Sequence, residues 1–300
     1  MGKVSYSSLR LQRRKLRRIA EAIRTSYWKP GANFLEEIFS SLRDHIDDGD
    51  IVTISEKAIS IALGNIVDES SFKAGLTARL IARYWIRYVW GYILSLLCHL
   101  RERTIIRLRN YPLEEGGRHK QVAIAYVGLI HALHWGSEGG IDASNLPYAY
   151  VCLPIRNPEK IADTIRRWIF KRLNKRVGVI IVDTDKTYSL KSIHITPRRV
   201  SVKGIHAIGP IAYIVGRMLR FRRRSTPIAI SGVRVSAEMA LEMAEVANRL
   251  RGSGAGMTVW DMAERFGVSL TEVTWEMLEK VEHKPIVIFK LSKLRRFRGG

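Results

Sequence analysis

The stretch that most constrains this chain is Val177-Gly178-Val179-Ile180-Ile181-Val182, an unbroken apolar run that ends in Asp183-Thr184-Asp185. A half-exposed strand alternates apolar and polar residues. A continuous run of branched side chains instead predicts a strand buried on both faces of a sheet. Just before it, Pro158 to Leu173 predicts an amphipathic helix: Ile161, Ile165, Trp168, Ile169 and Leu173 recur about every 3.6 residues, with Lys160, Asp163, Arg166, Arg167 and Lys171 facing water. Pro158 suits its first turn. The strand delivers Asp183 and Thr184 rigidly at its C-terminal end, where ligands bind in sheets of this kind.

The rest of the chain supplies the elements such a strand needs. Residues 7–25 carry Leu9, Leu11, Leu16, Ile19 and Ile23 among Arg and Lys and predict a basic helical extension. Phe34 to Ile46 predicts a helix with one buried face. After the turn Asp47-Asp48-Gly49-Asp50, the run Ile51 to Ile54 predicts a buried strand, followed by Ser55, Glu56, Lys57 and a second run, Ala58 to Leu63, that is strand or helix. Ser70 to Leu108 reads as mainly helical. Its Tyr84, Trp85, Tyr88, Trp90 and Tyr92, beside Arg83 and Arg87, form core, a dimer interface or a base-stacking stripe, the first two weighing more at helical spacing. Tyr111 to Gly117 reads as a loop, and Val122 to Leu133 as strand or helix with structural histidines at His131 and His134. Tyr148 to Pro154, Pro227 to Val235 and Pro285 to Leu291 predict strands; Ser236 to Leu250 and parts of Trp260 to Leu278 predict helices.

A second site candidate is the segment Gly139-Gly140-Ile141-Asp142-Ala143-Ser144-Asn145-Leu146-Pro147. The glycines permit positive φ and close approach, Asp142 offers hard oxygen donors, Asn145 both donates and accepts, and Pro147 discourages a helix. By itself the segment reads more readily as an Asx-rich turn whose side chains satisfy their own backbone. Asp183 could join Asp142 in holding a divalent cation that bridges phosphates. The glycine-rich run Arg251 to Gly256 follows a helix, as phosphate-cradling loops do, and no P-loop motif is present.

Fifty Lys and Arg against 28 Asp and Glu give a net charge of +22, concentrated at Arg10 to Arg18, Arg217 to Arg224 and Lys290 to Arg298. Such a surface attracts polyanions or phosphorylated ligands. Cys98 and Cys152 lack zinc-like partners and read as buried thiols. Arg83 and Arg87 interrupt the longest apolar run, and no signal peptide is evident, so a cytoplasmic protein without a membrane span is expected.

Together these motifs resemble the coenzyme F420-0:L-glutamate ligase family, the γ-glutamyl ligases that extend the F420 tail. The resemblance rests on Asp48 to Val52 with Ser55 through Gly64, on Gly140 to Asn145, on Val177 to Thr184, and on the strand, helix and glycine loop from Ala229 to Gly256. It implies an α+β fold of mixed β-sheets with packed helices over residues 28–290, behind a basic extension at 1–27 and before a basic tail at 291–300. It further implies a homodimer that uses GTP and Mn2+ or Mg2+ to activate the F420-0 carboxylate as an acyl phosphate for attack by L-glutamate. By motif position, Asp142, Asp183 and Thr184 would bind metal, and Asn145, Ser60, Gly252, Ser253 and Gly254 would contact nucleotide. Where the family has Ser-Lys, this chain has Ser60-Ile61, leaving Lys57 and Lys186 as the nearby residues to contact phosphate. The basic clusters leave a second class open: a lapsed member that keeps the fold and binds RNA or another polyanion.

Overall fold

A computed structural model describes residues 13–291. Residues 7–12 of the predicted basic helix and 292–300 of the basic tail lie outside the described residues. The fold is mixed α+β. Its main sheet runs β1-β9-β2-β5-β6-β7, with β1 at Ala20–Thr25, β2 at Ile51–Ser55, β5 at Gly178–Leu190, β6 at Ile193–Thr196, β7 at His206–Ala207 and β9 at His283–Phe289. β8, Arg222–Ser231, pairs along the other side of β5. β2 and β5 are parallel, Ile51 opposite Gly178 and Ser55 opposite Val182, so both strands end at the same edge. A two-stranded sheet joins β3, Ile66–Asp68, to β4, Tyr150–Cys152.

Both faces of β5 are covered, as its composition requires. On one face Val179 and Ile181 pack with Val52, Ile54, Ile286 and Ile288 against the helices Phe34–Leu42, Glu56–Ala62 and Pro158–Leu173. On the other, Ile180 and Val182 meet Met243, Val246 and Ala247 of the helix Ala237–Arg251, which Ser236 caps by accepting from Met239 N–H. Each fully buried aliphatic side chain here contributes roughly 1.5–3 kcal/mol. A separate core joins the helices of residues 76–132 around Ile86, Trp90, Leu108 and Val122.

Several expectations are corrected. The helix predicted over 7–25 is helical at 13–18 among the described residues, and Ala20–Thr25 is instead β1, antiparallel to β9. Ala-Glu-Ala-Ile-Arg-Thr is too weakly patterned to hold a helix against that pairing. Ala58 to Leu63 resolves as helix, and so does Val122 to Leu133 apart from a break at Gly128. The loop predicted at Tyr111 to Gly117 is the start of the helix Leu113–Val127. Gly116 sits inside that helix because a Cβ there would lie 2.1 Å from a ring carbon of Tyr111. Nor does β5 stop at Asp183. Asp183 pairs with Thr226, Lys186 pairs with the next residue back, Ser225, and Thr184-Asp185 bulge out between them. The aromatic stripe divides: Trp90 is buried, while Tyr84, Tyr88 and Tyr92 are exposed and stacked in a row.

Candidate functional site

The site forms where β2 and β5 end. β2 passes directly into the helix Glu56–Ala62, which buries Glu56 in its first turn. β5 presents Asp183 and then bulges through exposed Thr184 and part-buried Asp185. The loop from Glu138 to Asn145 closes the third side. Gly139 (φ 60°) and Gly140 (φ 106°) turn it, and Asp142 exchanges both backbone hydrogen bonds with Cys152 at the edge of the small sheet. Three unrelated segments thus place carboxylates around one point.

At that point stands Arg198, 3% exposed, from the segment between β6 and β7. Its guanidinium donates to Glu56 and, at 2.6 Å, to the Gly139 carbonyl, and its Nε lies 2.8 Å from Asp183 and 3.7 Å from Asp185. Gly140 is glycine because a Cβ would fall 1.0 Å from Arg198 Nη1. Lys57 ion-pairs with Asp142 and donates to the Ser144 hydroxyl at 2.7 Å. Burial pulls Arg198 toward losing its proton, but Glu56, Asp183 and Asp185 outweigh it and raise its pKa. Burial and the neighbouring Asp183 push the Asp185 carboxyl well above the usual range. Glu56 is likewise raised, by burial first, against the pull of Arg198.

The count matters. Glu56, Asp142, Asp183 and Asp185 make four carboxyl groups facing two cations, Lys57 and Arg198, two more acids than bases in a protein of charge +22. That excess and the hard oxygen donors suit one Mg2+ or Mn2+. Asp142, Asp183, Asp185 and Thr184 are the residues that would hold it. Among the described residues no three acidic, His or Cys side chains converge closely enough to hold a metal ion as they stand, and all four carboxylates are at ion-pair distance from Arg198 or Lys57.

The corner opens onto a cavity of about 320 Å³ lined by Asp142, Ser144, Thr184 and Asp185 at one end and by Tyr111, Trp135, Tyr150 and Trp260 along its walls. Its lining also includes Glu69, His119 and Glu138. His119 Nδ1 lies 2.5 Å from Glu69 and its Nε2 3.0 Å from Glu138, and buried Lys120 also pairs with Glu138. Although burial opposes it, the two glutamates raise His119 to about 10. Glu138 begins the Gly139 turn, so this cluster anchors the loop bearing Asp142.

The other predicted residues separate. Thr184 is exposed and donates its N–H to Asp183 at 2.6 Å. The Asn145 side chain grips the glycine loop, donating to the carbonyls of Ser253 (3.3 Å) and Gly256 (2.9 Å) and accepting from Ala255 N–H (2.6 Å). It thereby brings Gly252, Ser253 and Gly254 to the corner. Ser60 is buried and donates to the Leu153 carbonyl at 2.6 Å. Lys57 lies in the corner. Lys186 does not: past the bulge it turns to Glu245 (3.2 Å) and Ser225 (2.9 Å). Sequence reasoning missed Arg198 and the importance of Glu56 and Asp185. Asp185 had a signal, as the third residue of Asp-Thr-Asp at a strand end; Arg198, in Pro197-Arg198-Arg199, had none.

Comparison with known proteins agrees with this architecture. A sequence profile for "F420-0:Gamma-glutamyl ligase" matches residues 22–290, and the chain belongs to that family. It is 35% identical over 287 residues to "Uncharacterized protein MJ1361" of Methanocaldococcus jannaschii, covering 91% of this chain and 97% of that protein. It is 29% identical over 160 residues to the coenzyme F420:L-glutamate ligase of Archaeoglobus fulgidus, covering 52% of this chain and 55% of that one. Membership makes ligase chemistry the general expectation. No helix of the described residues is long and apolar enough to cross a membrane.

Proposed function

We propose that this chain is a GTP- and divalent-metal-dependent amide ligase that adds L-glutamate to coenzyme F420-0 or a related carboxylate. The observation that carries this reading is the surplus of carboxylates at the joint end of β2 and β5, opening on a substrate-sized cavity. The acceptor carboxylate takes the γ-phosphoryl group, and the glutamate amine then attacks the acyl phosphate and releases phosphate. A bound Mn2+ or Mg2+ supplies charge neutralisation at the phosphates. The protein's part is mainly positioning. Asp142, Asp183, Asp185 and Thr184 fix the reacting end, Asn145 sets the glycine loop, Lys57 supplies positive charge beside Asp142, and the cavity walls exclude water from the mixed anhydride.

The same reading includes a cytoplasmic homodimer. Leu76, Leu80, Tyr84, Tyr88, Tyr92 and Leu96 leave an exposed apolar stripe of the kind a second copy would cover. The polyanion alternative is less favoured, because Arg222 and Arg224 in one of its clusters are ion-paired internally to Glu238 and Glu242. The test is purified protein with GTP, Mn2+, L-glutamate and F420-0, followed by mass spectrometry. The expected product is heavier by one glutamyl residue, with stoichiometric GDP; absence of both overturns the reading.

A further inference from the structure

Five cationic side chains are buried among the described residues: Lys120, Arg198, Arg224, Arg251 and Lys290. Four have carboxylates at ion-pair distance: Lys120 with Glu138, Arg198 with Glu56 and Asp183, Arg224 with Glu238 and Glu242, and Lys290 with Asp47 and Asp50. Arg251 has none. It is 9% exposed, its Nη2 donates to Asn248 Oδ1 at a long 3.3 Å, and its Nη1 has no partner. A buried charge without a counterion is costly, and the end of its helix supplies only about half an elementary negative charge.

The surroundings show what would complete it. Arg251 closes the helix Ala237–Arg251, at the same end of the sheet as Asp183, the one carboxylate whose field reaches it. Burial draws its pKa down to about 10. Directly after it the chain turns through Gly252 (φ 75°) and Gly254 (φ 60°). The N–H groups of Gly252, Ser253 and Gly254 find no acceptor among the described residues. Consecutive free amides in such a turn form an anion-binding concavity. Asn145 pins the following residues, so the cradle is held to the corner.

We propose that Arg251, with these amides, receives the phosphate groups of the nucleotide. The assignment rests on the nucleotide-dependent reading above. Arg251 is then a cation left uncompensated in the free protein and compensated by its ligand.

The test uses the full chain and Arg251→Met, Arg251→Lys and, as a charge-matched control at an exposed position, Arg234→Met. Affinities for pyrophosphate, GTP and guanosine are measured by calorimetry with Mn2+, alongside the Tm of each free protein. Arg251→Met should weaken pyrophosphate and GTP about 10- to 100-fold, leave guanosine unchanged, and leave the free protein at an equal or higher Tm. Arg251→Lys should recover part of the phosphate affinity, and Arg234→Met should match the parent. Equal pyrophosphate affinity in parent and Arg251→Met, no pyrophosphate binding by the parent, or a lowered Tm with loss of guanosine overturns the assignment. Arg251-dependent pyrophosphate binding by a protein that never transfers glutamate sinks the ligase reading alone. Glutamate transfer with phosphate affinity indifferent to Arg251 sinks this one alone.

Discussion

Two buried arginines flank β5, and they differ instructively. Arg224, 1% exposed, is gripped by Glu238 and Glu242 of the helix Ala237–Arg251 and donates to Ser189 at 2.8 Å. Arg222 and Arg13 join the same two glutamates, so three arginines face two carboxylates. Arg198 is buried as deeply, yet it lies among four carboxylates with one lysine for company, beside a cavity. Both networks tie a strand to distant chain. Only the second has more acids than bases, and in a protein this basic that imbalance marks where a cation or a reacting group belongs.

The comparison breaks first at Arg224. Arg224→Ala leaves buried Glu242 and half-buried Glu238 with only the more exposed Arg13 and Arg222 and should cost about 3 kcal/mol, seen as a lower denaturation midpoint with unchanged activity per folded molecule. If the midpoint holds, the structural assignment of that network fails. Asp183→Ala should do the reverse. We expect kcat/KM for glutamate addition to fall on the order of 10²–10³-fold, with the Tm close to the parent's because removing one carboxylate relieves repulsion at Asp185. Comparable losses of Tm in both variants would erase the distinction. Next in size, Mn2+ at 100 times its Kd should stabilise the parent by about 2.7 kcal/mol and Asp142→Asn much less, whereas Glu238→Gln should respond as the parent does.

A smaller effect belongs to the tie between the corner and the glycine loop. Asn145→Ala removes three hydrogen bonds to that loop and should cost roughly 1–2 kcal/mol, with GTP affinity falling more than Tm. The smallest is a pair of opposite pH slopes. His119, beside the cavity, is raised from 6.5 to about 10 by Glu69 and Glu138 against burial, so its stabilisation is complete below 6.5 and is lost as pH rises toward 10. His194, 3.7 Å from Glu238, is lowered from 6.5 by burial and Arg224, so its neutral form favours the fold above 6.5 and that contribution is lost as pH falls. Denaturation midpoints across pH should flatten on the alkaline side in His119→Gln and on the acid side in His194→Gln.

How much of this was legible follows from which signals are local. The helix Pro158–Leu173 appears residue for residue as its periodicity and N-terminal proline predict, since both signals lie within the segment. The core half of β5 is equally plain. Its continuation past Asp183 is not, because a two-residue bulge is set by the partner strand rather than by Thr184 and Asp185 themselves. Ala20–Thr25 reads as helix in the sequence because the strand character of β1 comes from pairing with β9 near the opposite end of the chain. In the site, Asp142 and Asp183 could be singled out from their flanking glycines and apolar strand. Arg198 could not, since an arginine becomes the centre of a carboxylate cluster only once tertiary structure has brought Glu56, Asp183 and Asp185 to it. In the sequence Arg251 is simply the first residue of a glycine-rich run; only its burial without a counterion distinguishes it.

The contact between Arg198 and Gly140 also constrains how this protein can change over generations. A methyl group at position 140 would occupy the space of the guanidinium, so no first step from glycine is open while Arg198 stands. Shortening the arginine must come before, and even then φ 106° continues to tax any L-residue. The two positions, far apart in the gene, therefore form a mutational ratchet: one order of substitution is passable and the other is closed. A lineage that retains the arginine is bound to inherit the glycine with it.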